Sequence, residues 1–350
     1  MHQLTHLPTA PGLEDSVIEW VEAWVGRRSD LKLERDSGRN LIITQKGRKR
    51  TAPVIAVAHM DHPAFVITEL RQDEADYEFR GGVTAPYFED ATVEVVSRSG
   101  GARGTVVSHD EEAQTGTLRV SGRGKIDVGD IAMWRMSRRR APRGRFRAPA
   151  CDDLAGVAAA LAALDRCRRD KELRHFGVLL TRAEEVGLVG AIHAAKHRTV
   201  PENSRLLSIE TSRELVNARI GDGPVIRTGD RSTVFDRELT NLISSAAEEA
   251  GLRHQRKLMD GGGCEATAFG AYGYRSTGLC LCLGNWHNRG NLTEVEQGDG
   301  VAIAKLEEIS LDDFHGLIDL LVIAASAVDG ADPVVGRLNA LYESKSHYLS

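Results

Sequence analysis

Two stretches in which strands and helices alternate flank residues 64–145, which show no helical period, and this break constrains the fold more than any single motif. Before it, Val17, Trp20, Val21, Trp24 and Val25 fall at i, i+3, i+4, i+7 and i+8. That is the stripe of an amphipathic helix over residues 14–26, with Gly26 as its stop. Residues 41–44 and 54–58 then read as strands. The second, VIAVA, is apolar without alternation, as a strand covered on both faces should be. Inside the break, β-prone pieces at 64–67, 92–96, 105–108, 117–120 and 131–134 are separated by Gly, Asp and Ser, which predicts a small β-barrel or sandwich. After Asp152, helices (154–167, 189–197, 235–250, 314–328) again alternate with strands (176–180, 206–209, 277–283). The chain should therefore form one discontinuous α/β domain, 1–63 with 146–350, interrupted by a β domain at 64–145.

Composition narrows the function classes. A formal net charge of −5 argues against a nucleic-acid binder, although Arg135, Arg138, Arg139, Arg140, Arg143, Arg145 and Arg147 form a local basic run. Without interleaved aromatics to stack bases, that run reads as a solvated linker between domains. The start, MHQLTHLPTAPG, lacks a signal-peptide layout, and no apolar stretch approaches the roughly 20 residues that span a bilayer, so a cytoplasmic location is expected. Five cysteines without CxxC spacing predict reduced thiols and no thiolate metal site.

Five places share one feature, a metal-capable side chain just past an apolar strand or at a strand-to-helix turn. They are His59 after VIAVA, Asp152 before the 154–167 helix, Glu184 and Glu185 after FGVLL, Glu210 after LLSI, and His287 after TGLCLCLGNW. In open α/β sheets such positions converge on one crevice, however far apart they lie in sequence. Any one alone reads as a surface histidine or a helix-start acid. Two histidines with four acids form a borderline-to-hard donor set that suits Zn²⁺, Co²⁺ or Mn²⁺.

Four motifs occur in order: AHMD at 58–61, DDLAG at 152–156, EEVGLVGA at 184–191 and GGCEA at 262–266. With LPTAPGLED and DSGRNLII near the start, they make nearly the whole chain resemble the M42 group of dinuclear metallo-aminopeptidases, within the broader zinc exopeptidase clan. Spacing agrees with that group. His59 and Asp152 are 152 − 59 = 93 residues apart, room for an inserted domain, whereas only 210 − 185 = 25 separate Glu185 from Glu210. In the related carboxypeptidases and deacylases the insertion follows the third acid instead.

The resemblance implies a three-layer α/β/α domain with a mixed, largely parallel sheet plus an inserted β-barrel. It implies two divalent metal ions per subunit, Zn²⁺ first, with Co²⁺ or Mn²⁺ as alternatives. His59 and Glu210 would hold one, Glu185 and His287 the other, and Asp152 would bridge them. Glu184 would be the general base, and Asp61 would orient His59 through its second ring nitrogen. The Asp152-Asp153 peptide bond is expected to be cis by the same analogy. Gly262, Gly263 and Glu265 would contact substrate. This chain departs from the usual pattern at Glu210 and Glu265, where Asp is common, and at His287, whose NWHNRG context is followed by an apparent insertion at 290–308. The expected activity is removal of N-terminal residues from short peptides by a homo-oligomer, in such families often a dodecamer, with no nucleic-acid or membrane partner. A deacylase or carboxypeptidase using the same site is the enzymatic alternative, and a non-catalytic binding protein on this scaffold the third.

Overall fold

The computed structural model describes residues 1–47, 52–97, 100–122, 124–137, 140–328, 330 and 332–349. Helix α1 (Asp15–Gly26) leads into β1 (Leu31–Arg35), β2 (Leu41–Gln45) and β3 (Val54–His59). Six strands follow: β4 (Ala64–Leu70), β5 (Glu74–Arg80), β6 (Thr92–Val96), β7 (Ala102–Asp110), β8 (Thr115–Ser121) and β9 (Ile131–Trp134). They close into a barrel in the order β4-β5-β8-β7-β6-β9. The chain returns through β10 (Arg145–Ala148), α2 (Leu154–Cys167), β11 (Phe176–Thr181), α3 (Val189–Lys196), β12 (Arg205–Arg213), β13 (Val225–Gly229), α4 (Arg237–Glu249), β14 (Gln255–Leu258), α5 (Glu265–Ala271) and β15 (Arg275–Leu283). Its last part holds β16 (Arg289–Gly290), α6 (Leu292–Glu296), β17 (Ile303–Ala304), β18 (Glu307–Ser310), α7 (Leu311–Ala327) and α8 (Pro333–Lys345).

The main sheet runs β1-β2-β11-β3-β12-β15-β13-β14. Its four central strands, β11, β3, β12 and β15, are mutually parallel, while the β1/β2, β2/β11 and β13/β15 pairs are antiparallel. Because side chains alternate along a strand, each central strand supplies both faces. Val54, Ala56 and Ala58 pack with α1, α2, α4 and α7 on one side. Ile55 and Val57 pack with α3 and α5 on the other. This is the three-layer α/β/α arrangement, and it explains why VIAVA carries no polar alternation. Nearly every residue of α2 is buried, as expected of a helix sandwiched between a sheet and another helix.

The barrel closes around aromatic side chains. Phe65 meets Tyr77, Phe79 and Trp134 edge to face, with centroids 4.9, 5.0 and 4.8 Å away. Of the basic run, Arg145 and Arg147 belong to β10, which pairs with β18, so that end is ordered sheet and not linker. Arg147 binds Glu308 at 2.5 Å and Arg135 lies 3.4 Å from Glu94. Arg138 and Arg139 lie outside the described residues. Among the described residues no helix is long and apolar enough to cross a membrane.

Candidate active site

The parallel order β11-β3-β12-β15 brings four carboxyl ends to one edge of the sheet. His59 is the last residue of β3 and pairs in register with Thr181 at the end of β11. Glu184 and Glu185 follow in a turn that starts with Ala183 at φ 52° and includes Gly187 at φ 114°. Gly190, at the start of α3, is required for close approach, since a Cβ there would stand 2.3 Å from the Arg182 carbonyl oxygen. Asp152 sits at a cis Asp152-Asp153 bond just before α2. Glu210 is the sixth residue of β12, which continues to Arg213, so it lies within the strand and not beyond its end. His287 follows β15 with its own backbone in the left-handed region, at φ 54°.

These six side chains line a cavity of about 340 Å³. One donor atom from each member of His59, Asp152 and Glu210 lies within 4.8 Å of the others, and the same holds for Asp152, Glu185 and His287. The two groups share Asp152. His59 Nε2 is 3.5 Å from Asp152 Oδ1, and His287 Nε2 is 3.6 Å from Asp152 Oδ2 and 3.2 Å from Glu185 Oε2. Tetrahedral sites with ligand bonds of about 2.0–2.1 Å space neighbouring donors about 3.4 Å apart. Asp152 Oδ1 and Glu185 Oε1 are buried and, among the described residues, without a hydrogen-bond partner. Buried carboxylate oxygens left this way require compensation, and the donor spacing fits a cation.

Electrostatics point the same way. Burial, with the neighbouring acids, raises Glu184 well above the usual carboxylate range, and burial pushes Glu210 up to about 7. Burial works against the charged form of Asp152 too, but His287 and His59 outweigh it and hold Asp152 low. His287 rises to about 10 despite its burial, because Glu185 and Asp152 face it. The cluster thus sets four carboxyl groups against two histidines, and burial disfavours the charge on most of them.

Positioning groups surround these side chains. His59 Nδ1 is 3.1 Å from the main-chain carbonyl of Asp61, while the Asp61 carboxylate stands 3.6 Å away. That carboxylate instead accepts the N–H groups of Glu184 and Glu185, each at 3.0 Å. Sequence reading expected the side chain to orient His59; its closer hydrogen bonds shape the glutamate turn. Glu14, from the LPTAPGLED stretch, accepts from Arg182 Nε at 2.6 Å and from Ala183 N–H at 3.1 Å. His287 Nδ1 faces the carbonyl of Gly82 at 3.1 Å, a contact supplied by the segment between β5 and β6.

Gly262 and Gly263 line the cavity with Arg213, Leu215, Arg227 and Met259. Glu265 does not. Its side chain is wholly buried and its N–H faces Glu210 Oε1 at 3.4 Å, so the expectation that it contacts substrate is corrected: it lies beneath Glu210. Burial raises Glu265 to about 8, and neither carboxyl oxygen has a hydrogen-bond partner among the described residues. Sequence reasoning also passed over Glu307, whose carboxylate accepts from Cys151, Asp152 and His287 N–H groups. Trp286, which donates from Nε1 to Asp152 Oδ2 at 3.0 Å, was missed too. His62, which directly follows the first motif, is 2.6 Å from the Asp152 carbonyl through Nδ1.

The chain thus combines an α/β/α scaffold, an inserted barrel and a possible metal-binding cluster at the carboxyl edge of the main sheet. The chain belongs to the M42 glutamyl aminopeptidase family, whose profile matches residues 119–300, and it is a hydrolase of the aminopeptidase class. A relative from Acetivibrio thermocellus, 22% identical over 273 residues, covers 72% of this chain and 78% of its own, and its name places it among aminopeptidases. The TET1 peptidase of Pyrococcus horikoshii superposes with a TM-score of 0.74 at 20% identity, covering 93% of this chain and 97% of its own. An aminopeptidase from Desulfurococcus kamchatkensis does so at 0.74 and 23%, covering 94% and 93%. A Thermotoga maritima structure titled as an endoglucanase gives 0.67 and 19%, covering 92% and 95%, so the shared fold does not by itself choose a substrate.

Proposed function

We propose that the chain is a dinuclear metal-dependent aminopeptidase acting on short peptides. The observation that carries this reading is the pair of donor groups sharing Asp152. His59 and Glu210 would hold one divalent ion, Glu185 and His287 the other, with Asp152 common to both and Zn²⁺ the expected metal. When bound, such a pair supplies Lewis acidity, polarising a peptide carbonyl and bringing the pKa of an attacking water towards about 7.

The rest of the chemistry belongs to the side chains. Glu184, with 13% of its side chain exposed at the cavity, takes the water's proton and returns it to the leaving amine. Glu184 also falls within ligand-like reach of His59 and Glu185, so its role as base and not ligand has to be tested by metal content. Asp61 holds the backbone of both glutamates and thereby sets their different directions. Asp61 O and Gly82 O face the Nδ1 atoms of His59 and His287, which leaves each Nε2 free to coordinate.

Assembly as a homo-oligomer, with the barrel as the contact, is part of the proposal; oligomerisation is supported by the Pyrococcus horikoshii TET1 peptidase, which can assemble into a tetrahedron or a large octahedral shell. Turnover of free-amino aminoacyl anilides, compared with N-acylated and carboxyl-terminal substrates, tests the assignment. Cleavage confined to free-amino substrates supports it, and preference for N-acyl or carboxyl-terminal substrates replaces it with a deacylase or carboxypeptidase.

A further inference from the structure

Glu307 stands where two segments that carry candidate metal ligands come together. Strand β18 pairs antiparallel with β10, with Glu307 opposite Ala148, so it lies beside the stretch that runs into Cys151 and Asp152. Its next residue, Glu308, exchanges two main-chain hydrogen bonds with Gly284, at 2.9 and 3.0 Å, just before the turn carrying His287. The chain between Gly284 and Glu308 is thus an arm whose two ends are held together.

The Glu307 side chain is fully buried. Its Oε2 accepts from Cys151 N–H at 2.7 Å and Asp152 N–H at 3.0 Å, while Oε1 accepts from His287 N–H at 2.8 Å. It does not line the cavity. The turn it grips is unusual, since Asn285, His287 and Asn288 all have positive φ at 55°, 54° and 60°. Non-glycine residues hold that region only where surrounding contacts enforce it. A second tie joins the same segments: His62 reaches the Asp152 carbonyl and, through Nε2, Asn288 Oδ1 at 3.1 Å.

We infer that Glu307 is a positioning residue for the metal centre: one carboxylate clamps the main chains of Asp152 and His287 and so fixes the spacing of their ligand atoms. This inference rests on the proposed metal site. A glutamine at 307 turns an N–H₂ towards at least one of the three N–H donors and loses that grip without changing side-chain shape.

The test uses the full chain, stripped of metal and titrated with Co²⁺, reading visible absorption and affinity in wild type, Glu307→Gln, Glu307→Asp and Glu308→Gln. Glu308 is the control, because its carboxylate pairs outward with Arg147. Glu307→Gln and Glu307→Asp should fold, bind at least one Co²⁺ about 10–100-fold more weakly and show an altered spectrum. Glu308→Gln should match wild type. Folded Glu307 variants with wild-type affinity and spectrum overturn the inference alone, as would failure of both to fold, which would assign the residue to stability. Wild-type protein that binds no Co²⁺ overturns the metal reading itself.

Discussion

Adjacent like charges at the end of a buried strand look redundant in sequence, yet Glu184 and Glu185 face different neighbours. Glu185 lies 3.2 Å from His287 Nε2, whereas Glu184 lies 3.9 Å from His59 Nε2 and is the more exposed of the two. Glu184→Gln should keep its metal content and lose about 10²–10⁴-fold in kcat, measured by metal analysis beside turnover. Loss of a metal ion would instead make Glu184 a ligand. Asp61→Ala, by freeing the N–H groups of both glutamates, should lower metal affinity as well as kcat, and a variant weakened in KM alone would contradict that role. At this scale, residue type and position after an apolar strand were enough to nominate the donors. The supporting groups were not legible: Glu14 and Glu307 act on main-chain N–H groups, which leave no spacing signal.

Elements were legible where one physical cause dominated. The bounds of α2 follow from its continuous apolar run, and Ser310 caps α7 by accepting from Asp313 N–H at 3.2 Å. Strand β5 was missed because charged residues alternate with its inward Ala75, Tyr77 and Phe79, so it carries little apolar content despite its strand period. The arm after His287, an apparent insertion against the family pattern, is firmly packed: Leu292 enters the barrel core and Tyr87 donates to the Gly290 carbonyl at 2.8 Å. Tyr87→Phe should cost about 0.5–1.5 kcal/mol by denaturant unfolding, and an unchanged midpoint would mean that the bond adds nothing. A second element-level prediction concerns the end of α2. Partial burial opposes the charge of Asp165, but Arg28, Arg168 and Arg169 outweigh it and bring the carboxyl down to about 2. A depressed folded pKa gives stability that is present above the unfolded value of about 3.9 and is lost as pH falls towards 2. Asp165→Asn should therefore melt below wild type at pH 7, and the gap should close on acidification below about pH 5. A gap that widens there would reverse the assignment.

At the scale of the whole molecule, the inserted barrel and the α/β/α domain meet at the proposed metal ligands, since Gly82 faces His287 and the arm reaches both bodies. A cluster of buried acids should be costly without cations, so chelation should lower the thermal midpoint of wild type, and saturating Zn²⁺ should restore it. Ions present at about 100 times their Kd contribute about 2.7 kcal/mol each. Light scattering should give a mass that is a multiple of the 38.1 kDa chain, and a monomer would remove the barrel's proposed assembly role. The most direct measurement is a titration of chelated protein with Zn²⁺, following bound metal and aminoacyl-anilide turnover together. The account predicts two ions per chain, activity rising with occupancy, and no turnover in the stripped protein. Full turnover after complete metal removal, or saturation at a single ion, would contradict it.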